Sequence, residues 1–431
     1  MARMNKDEAL AFLRSTVKPS LGCTEPACAA LCAAAAAQEL RGDVRGVALT
    51  VNPGLYKNGM SVAIPGFDCV GMDYAAALGA LIGSTAAELQ IFEGITPEVA
   101  ERARGLVDSG RVRVDVDRGQ RGIYARCEVT SDGEVAEAVI QGAHTNVVMV
   151  SHNGTIRFQG EKDGAAGAAD PTADLQRMTI AQISRLVDGM GLEELDWLLE
   201  GIGVNDAVAE YGTEHPSPVG IASTLQTDLG TSEADQMMRA VGAAIESRLD
   251  GCPRSVTSSA GAGSKGLALT IPLGVAARHA GSSPLELARA LAFGHLVNSY
   301  INAVVGKLSA VCTCATAAST AASAALVKLW GGSEEQMGLA IRNMTGTVSG
   351  MICDGGKTGC AMKLAMATSA AYLSARMAVG GSVLRVSDGI CADTPEQCIA
   401  NVAQVANVGM ADVDEQILRI MLQKKGEAGG R

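Results

Sequence analysis

Cys312, Cys314, Cys353 and Cys360 fall in one stretch, which opens Val311-Cys-Thr-Cys314 and closes Gly350-Met-Ile-Cys-Asp-Gly-Gly-Lys-Thr-Gly-Cys-Ala-Met-Lys363. Iron–sulfur clusters are held by cysteine thiolates and tuned by hydrogen bonds to their sulfurs, so a glycine-rich turn that brings N–H groups close suits that chemistry. The competing reading makes these cysteines small apolar residues of an alanine-rich core. Two details oppose it. Cys353 and Cys360 sit among Asp354, Lys357 and four glycines, which is poor core material, and Cys312 and Cys314 are two apart, a spacing that no helical face prefers.

A further thiol lies in Gly22-Cys-Thr-Glu-Pro26. Pro26 suits the first turn of a helix running from Ala27 to Leu40, with Thr24 as its cap and Glu25 favourable against its dipole. Cys23 then stands beside a helix N-terminus, where positive partial charge lowers a thiol's pKa and supplies a thiolate base or nucleophile. A buried cysteine at a turn is the alternative. Cys28 and Cys32 read as packing residues.

Three further groups are candidates for binding a small acid. Lys57 and Asn58 occupy a Gly/Asn-rich loop after a strand that begins near Val44, and read as carboxylate ligands or a solvated turn. Ser255-Val-Thr-Ser-Ser-Ala-Gly-Ala-Gly-Ser-Lys-Gly266 contains Ser259 and Lys265, and exposes N–H groups able to cradle an anion, or forms a flexible interhelical turn. His144 and Asn146 fall in a strand expected over 134–151, as a ligand face or, favoured slightly, a satisfied core histidine.

The elements that must position these groups divide in two. Before residue 160, helices are expected over 5–40 with a break at Pro19–Pro26, and over 73–90 and 97–108; strands are expected over 60–64, 112–116, 122–130 and 134–151, with Ser131-Asp132-Gly133 as a hairpin turn. The Gly/Ala-rich stretch 159–173 reads as a linker. Beyond it the pattern turns helical, with candidates at 174–188, 192–209, 232–249, 284–305, 308–330, 333–345, 361–379 and 396–422. The expected fold class is α+β: an N-terminal α/β domain, residues 1–165, with short mixed or antiparallel strands, and a mostly helical catalytic domain, residues 174–431.

Composition narrows the chemistry. A net charge of −11 argues against a nucleic-acid partner. Apolar runs fall short of the roughly 20 residues a spanning helix needs, and no apolar leader opens the chain, so a reduced, cytoplasmic protein with no membrane partner is expected. The five histidines are scattered and give no zinc-site spacing. No nucleophile elbow, dinucleotide fingerprint or pyridoxal signature is present. Alanine-rich helices are compatible with a homodimer.

Taken together, Gly22-Cys-Thr-Glu-Pro26, Lys57-Asn-Gly-Met60, Ile64-Pro-Gly66, His144-Thr-Asn-Val147, Leu308-Ser-Ala-Val-Cys-Thr-Cys314 and Met351–Lys363 make a specific set, spread over nearly the whole chain. In these the chain resembles the iron–sulfur L-cysteine desulfidase family, which belongs with the iron–sulfur L-serine dehydratases. The resemblance implies an α/β part followed by a helical catalytic part, and a 4Fe-4S cluster held by Cys312, Cys353 and Cys360 with one iron open; Cys314 competes for the first place. It implies Cys23 as base in a pyridoxal-free β-elimination of L-cysteine to pyruvate, ammonia and hydrogen sulfide. Thr24, Glu25, Lys57, Asn58, His144, Asn146, Ser259 and Lys265 are then the candidates for holding the amino-acid substrate. Ser264-Lys265 stands where the family usually carries Asn-Gln, which leaves L-serine or another β-substituted amino acid as alternative substrates. An iron–sulfur electron-transfer protein, with Cys314 as fourth ligand, is the non-enzymatic reading.

Overall fold

The structure, a computed structural model, describes residues 4–161, 171–306 and 309–428. The fold is α+β, with a six-stranded sheet in the N-terminal half, helices through the C-terminal half, and a two-stranded antiparallel pair, Pro19–Ser20 with Val256–Thr257, joining the two. The sheet has six strands in the order Val112–Val116, Gly46–Val51, Tyr124–Thr130, Val135–Gln141, Val147–His152, Thr155–Gln159. Only the first pair is parallel; the rest is an antiparallel meander. Alternation sets its buried face: Val47, Leu49 and Val51 lie beside Ala125, Cys127 and Val129, then Ala136, Ala138 and Ile140.

The helix Thr24–Ala37 covers this face and is buried from Thr24 to Ala36. Its alanines let a second helix, Met72–Ile82, approach at backbone contact. A methyl group on Gly79 would overlap the carbonyl of Ala30. Gly79→Ala is therefore expected to lower stability by more than about 2 kcal/mol, since overpacking against backbone has no side-chain escape. Gly105→Ala, in the helix Pro97–Asp108 with open space around it, should be neutral or stabilising by up to about 1 kcal/mol. Thermal denaturation of the two variants checks this.

A second, larger core is built mostly from helices. The chain's ends cross between cores. Ala9, Phe12 and Leu13 of the first helix, Lys6–Thr16, pack into the helical core, whereas Leu418 of the last helix, Val413–Ala428, packs into the sheet-side core. Among the described residues no helix is long and apolar enough to cross a membrane.

Several local expectations are corrected. Lys57 and Asn58 lie in a short helix, Pro53–Gly59, started by Pro53 in its first turn, rather than in a loop. No strand forms over 60–64, where Ala63 makes only an isolated bridge to Val70. His144 and Asn146 belong to the turn between two strands, with Gly142 at φ +82°. The stretch 396–422 is two helices, Pro395–Gln404 and Val413–Ala428, separated by a π-helical turn. The helix Gly263–Ala280 went unread in the sequence. It is buried almost throughout, so it has no polar stripe to reveal a period, and Pro272 and three glycines interrupt it. Most of the expected linker, residues 162–170, lies outside the described residues.

Candidate active site

Two chain segments meet to place the C-terminal thiols. Val311 and Ile352 form an antiparallel bridge. Across it the Cys312 N–H donates to Met351 O at 2.8 Å and the Cys353 N–H to Ala310 O at 2.7 Å. Cys312 and Cys353 therefore flank this bridge on its two adjoining segments, Cys312 opposite Met351 and Cys353 opposite Ala310. Cys360 is the first residue of the helix Cys360–Val379. The turn between Cys353 and Cys360 lies directly on the helix Pro53–Gly59. Gly355 has φ +99°, and any side chain there would overlap Lys57 O, while the Gly356 N–H donates to Asn58 O at 3.3 Å. Glycine is required here by the close approach as much as by the backbone angle.

A lysine charge works against the burial of these thiols. Lys363 Nζ donates to Ile352 O at 3.0 Å and pairs with Asp354, and its charge lowers the pKa of Cys312, Cys353 and Cys360. A hydrogen bond with Cys314, stronger than the opposing burial, draws Cys312 down to about 6. Burial pushes Cys353 up and Cys360 up to about 11. Burial also raises Asp354, but its bonds with Lys357 and Lys363 outweigh this and hold it at about 2.

Cys312, Cys314, Cys353 and Cys360 share a cavity of about 490 Å³ with Cys23, Thr24, Glu25, Asn58, His144, Arg248 and Lys265. Residues from both halves of the chain thus line one space. Cys23, not Thr24, is the N-cap of the helix Thr24–Ala37, and its side chain does not cap it. The thiol instead donates to Glu25 Oε2 at 2.8 Å. The same oxygen accepts from Thr24 Oγ1 at 3.0 Å, and Oε1 accepts from Asn58 Nδ2 at 3.1 Å. Burial works to raise the Glu25 pKa, but His144 and the Cys23 and Asn58 donors prevail and keep it below the usual range. The expected thiolate at Cys23 is corrected: burial and then the Glu25 charge push its pKa well up, against the pull of Arg248. Cys23 rests as a thiol beside an ionised carboxylate.

The third wall is the start of the helix Gly263–Ala280. Lys265, 3% exposed, donates from Nζ to Asn302 Oδ1. Behind it Asn302 donates to Asn298, and Asn298 and His295 meet at Ser259 Oγ, each at 2.8 Å. Burial takes His295 down to about 3, so this network is neutral beyond the lysine.

Not every expected substrate ligand reaches the cavity. Ser259 lies in that network behind the wall. The Lys57 ammonium turns away to Asp414 at 2.6 Å. Asn146 ties its turn together, donating to Gln141 O and Glu161 O at 2.9 and 3.2 Å. Conversely, Arg248 lines the cavity and was not singled out in the sequence. A basic residue in the last turn of a helix reads as an ordinary partner of the dipole, so nothing in the sequence marked it.

Fold and site together define an α+β protein whose thiols and one ionised carboxylate face a single cavity assembled from both halves. The family pattern described as "Serine dehydratase alpha chain" matches residues 87–419. The chain belongs to that family and so to the lyase-type, iron–sulfur dehydratase-like enzymes. It is 38% identical to a "UPF0597 protein" of Oleidesulfovibrio alaskensis over 96% of this chain and 97% of the relative. It is 36% identical to a "UPF0597 protein" of Alkaliphilus oremlandii, over 98% and 99% of the two chains, and 36% identical to "UPF0597 protein YhaM" of Escherichia coli, over 96% of each. The family match includes Cys312, Cys353 and Cys360 but begins after Cys23.

The residues fit the cluster that the resemblance implies. Three soft thiol donors share one cavity next to the Lys363 ammonium, and the glycine turn brings backbone close to them. Among the described residues no three His, Cys, Asp or Glu side chains converge on a point suited to a single ion.

Proposed function

We propose that the protein catalyses β-elimination from L-cysteine, releasing hydrogen sulfide, pyruvate and ammonia, with a 4Fe-4S cluster held by Cys312, Cys353 and Cys360. When bound there, the cluster supplies a Lewis-acidic iron for the departing β-substituent. The observation that carries the reading is the Cys23–Glu25 pair at 2.8 Å, in the cavity that the three cysteines line.

The remaining steps belong to the protein's own side chains. Cys23 Sγ takes the α-proton as its own proton passes to Glu25 Oε2, and the Cα–H electron pair forms the Cα–Cβ double bond as sulfide leaves. Thr24, Asn58 and His144 hold Glu25 ionised and oriented for that transfer. The aminoacrylate released tautomerises to an imine, and water then yields pyruvate and ammonia. Lys57 and Ser259 serve from behind: one anchors the last helix, the other the loop that leads into Lys265.

The family description favours L-serine as second reading, water leaving in place of sulfide. Anaerobically purified, cluster-loaded protein is to be given a panel of β-substituted L-amino acids. Sulfide and pyruvate in equal amounts from L-cysteine, without added pyridoxal phosphate, are expected. Faster pyruvate release from L-serine would transfer the assignment to dehydration, and no product from any of them would end it.

A further inference from the structure

One buried charge in the cavity has no place in the elimination. Arg248, 3% exposed, stands in the last turn of the helix Glu233–Leu249. Its Nη1 donates to Ser264 Oγ at 2.9 Å, and its Nη2 to Gly22 O. Its Nε is sealed from solvent and has no hydrogen-bond partner among the described residues. A guanidinium presents five N–H donors in a planar fork, and leaving one buried without an acceptor is costly. Arg248 also pairs with no carboxylate among the described residues.

The same corner holds a second set of donors. Gly263 packs closely on the guanidinium: a Cβ built there would come 2.7 Å from both Nε and Nη2. Gly263 opens an eighteen-residue helix whose N-cap, Ala262, offers no side-chain acceptor and whose first turn contains no acidic residue. The first N–H groups of a helix have no partner within it, and together with the dipole they favour an anion. Arg248, a buried cation with an unmet donor, and the uncapped start of a long helix therefore adjoin one another on one wall of the cavity.

We infer that Arg248 and the N-terminus of the helix Gly263–Ala280 form an anion subsite that takes the α-carboxylate of the substrate. The inference rests on the amino-acid lyase reading and deepens it. The cavity lining agrees with a monoanion carried on a small zwitterion, because the ionised Glu25 shares the space. The location also suits the chemistry. Arg248 is bonded to Gly22 O, the residue before Cys23, and its charge is felt at the Cys23 thiol. A carboxylate seated on Arg248 brings the attached Cα toward that thiol, whose task is to remove the proton from Cα.

Binding without turnover tests this. Isothermal titration of the cluster-loaded protein uses L-alanine, which has the amino-acid skeleton but no leaving group, and L-alaninamide, which lacks the negative charge. Wild type is expected to bind L-alanine about tenfold to hundredfold more tightly than the amide, the range for a hydrogen-bonded charge pair. Arg248→Gln should lose a similar factor for L-alanine and no longer tell acid from amide, with Arg248→Lys between the two. Circular dichroism and the visible cluster spectrum establish that the variants are folded. Should Arg248→Gln not fold, the wild-type comparison still decides. Equal affinity for acid and amide, binding of neither, or discrimination that survives in a folded Arg248→Gln overturns the subsite. L-Alanine held through Arg248 by a protein that eliminates nothing from L-cysteine would instead keep the subsite and sink the lyase reading.

Discussion

Protein carrying Cys353→Ala is expected to leave an anaerobic column colourless, with iron and acid-labile sulfide lost and activity at background. Cys360→Ala should behave identically. Both thiols hang from one glycine turn pinned on the helix Pro53–Gly59, and no other cysteine among the described residues lies on that turn to replace either. Cys312 and Cys314 are expected to differ from one another. Cys312 is held at the Val311–Ile352 bridge by its bond to Met351 O, and its pKa is drawn down to about 6, whereas that of Cys314 is pushed well up by its bond with Cys312 and by burial. With Cys312 fixed by that bridge, Cys312→Ala should lose the cluster and Cys314→Ala keep it. Iron content and visible absorbance of the four variants decide the matter. The reverse pattern at 312 and 314 would exchange the ligand, and a coloured, active Cys353→Ala protein would dismiss the cluster from this loop.

Cys23→Ala should retain its colour and fold yet lose about 10²–10⁴-fold in kcat, the span associated with removing a general base. Glu25→Gln makes the argument sharper, because it changes the pH profile. In the wild type the Glu25 pKa lies below its ordinary value, so the carboxylate is ionised through the neutral range and ready to accept the thiol proton. Activity should therefore hold as pH falls through neutrality and decline only in acid, where Glu25 gains a proton. In Glu25→Gln that acceptor is gone. Burial, the larger cause of the raised Cys23 pKa, persists. Residual activity should then climb with pH as the thiol ionises. A Cys23→Ala enzyme with normal turnover would remove the base assignment, and an unchanged pH profile in Glu25→Gln would remove the relay.

Both experiments touch a site assembled from distant parts of the chain, and its legibility followed that distance. The cysteines at 353 and 360 could be read because glycine and charge crowd them within a single turn, an unlikely composition for core. Cys23 could be singled out from its Gly-Cys-Thr-Glu-Pro setting, but its protonation state could not. The local argument from a helix N-terminus gave the wrong sign, since burial and the carboxylate two residues on outweigh the dipole. Lys57 shows the same limit. Its ammonium is claimed by Asp414, a residue 357 positions away.

The α+β class, the sheet-then-helix order and the set of thiols were determined by sequence alone, because alternation, glycine turns and residue chemistry are local properties. Only the tertiary structure decided that the segments carrying Cys312 and Cys353 are bridged, that Arg248 reaches the cavity, and that Gly263–Ala280 is a helix at all. The physical reason is common to these: a bridge between strands, a buried guanidinium and a helix enclosed on every side are defined by what packs against them, and those neighbours leave no period in the segment itself.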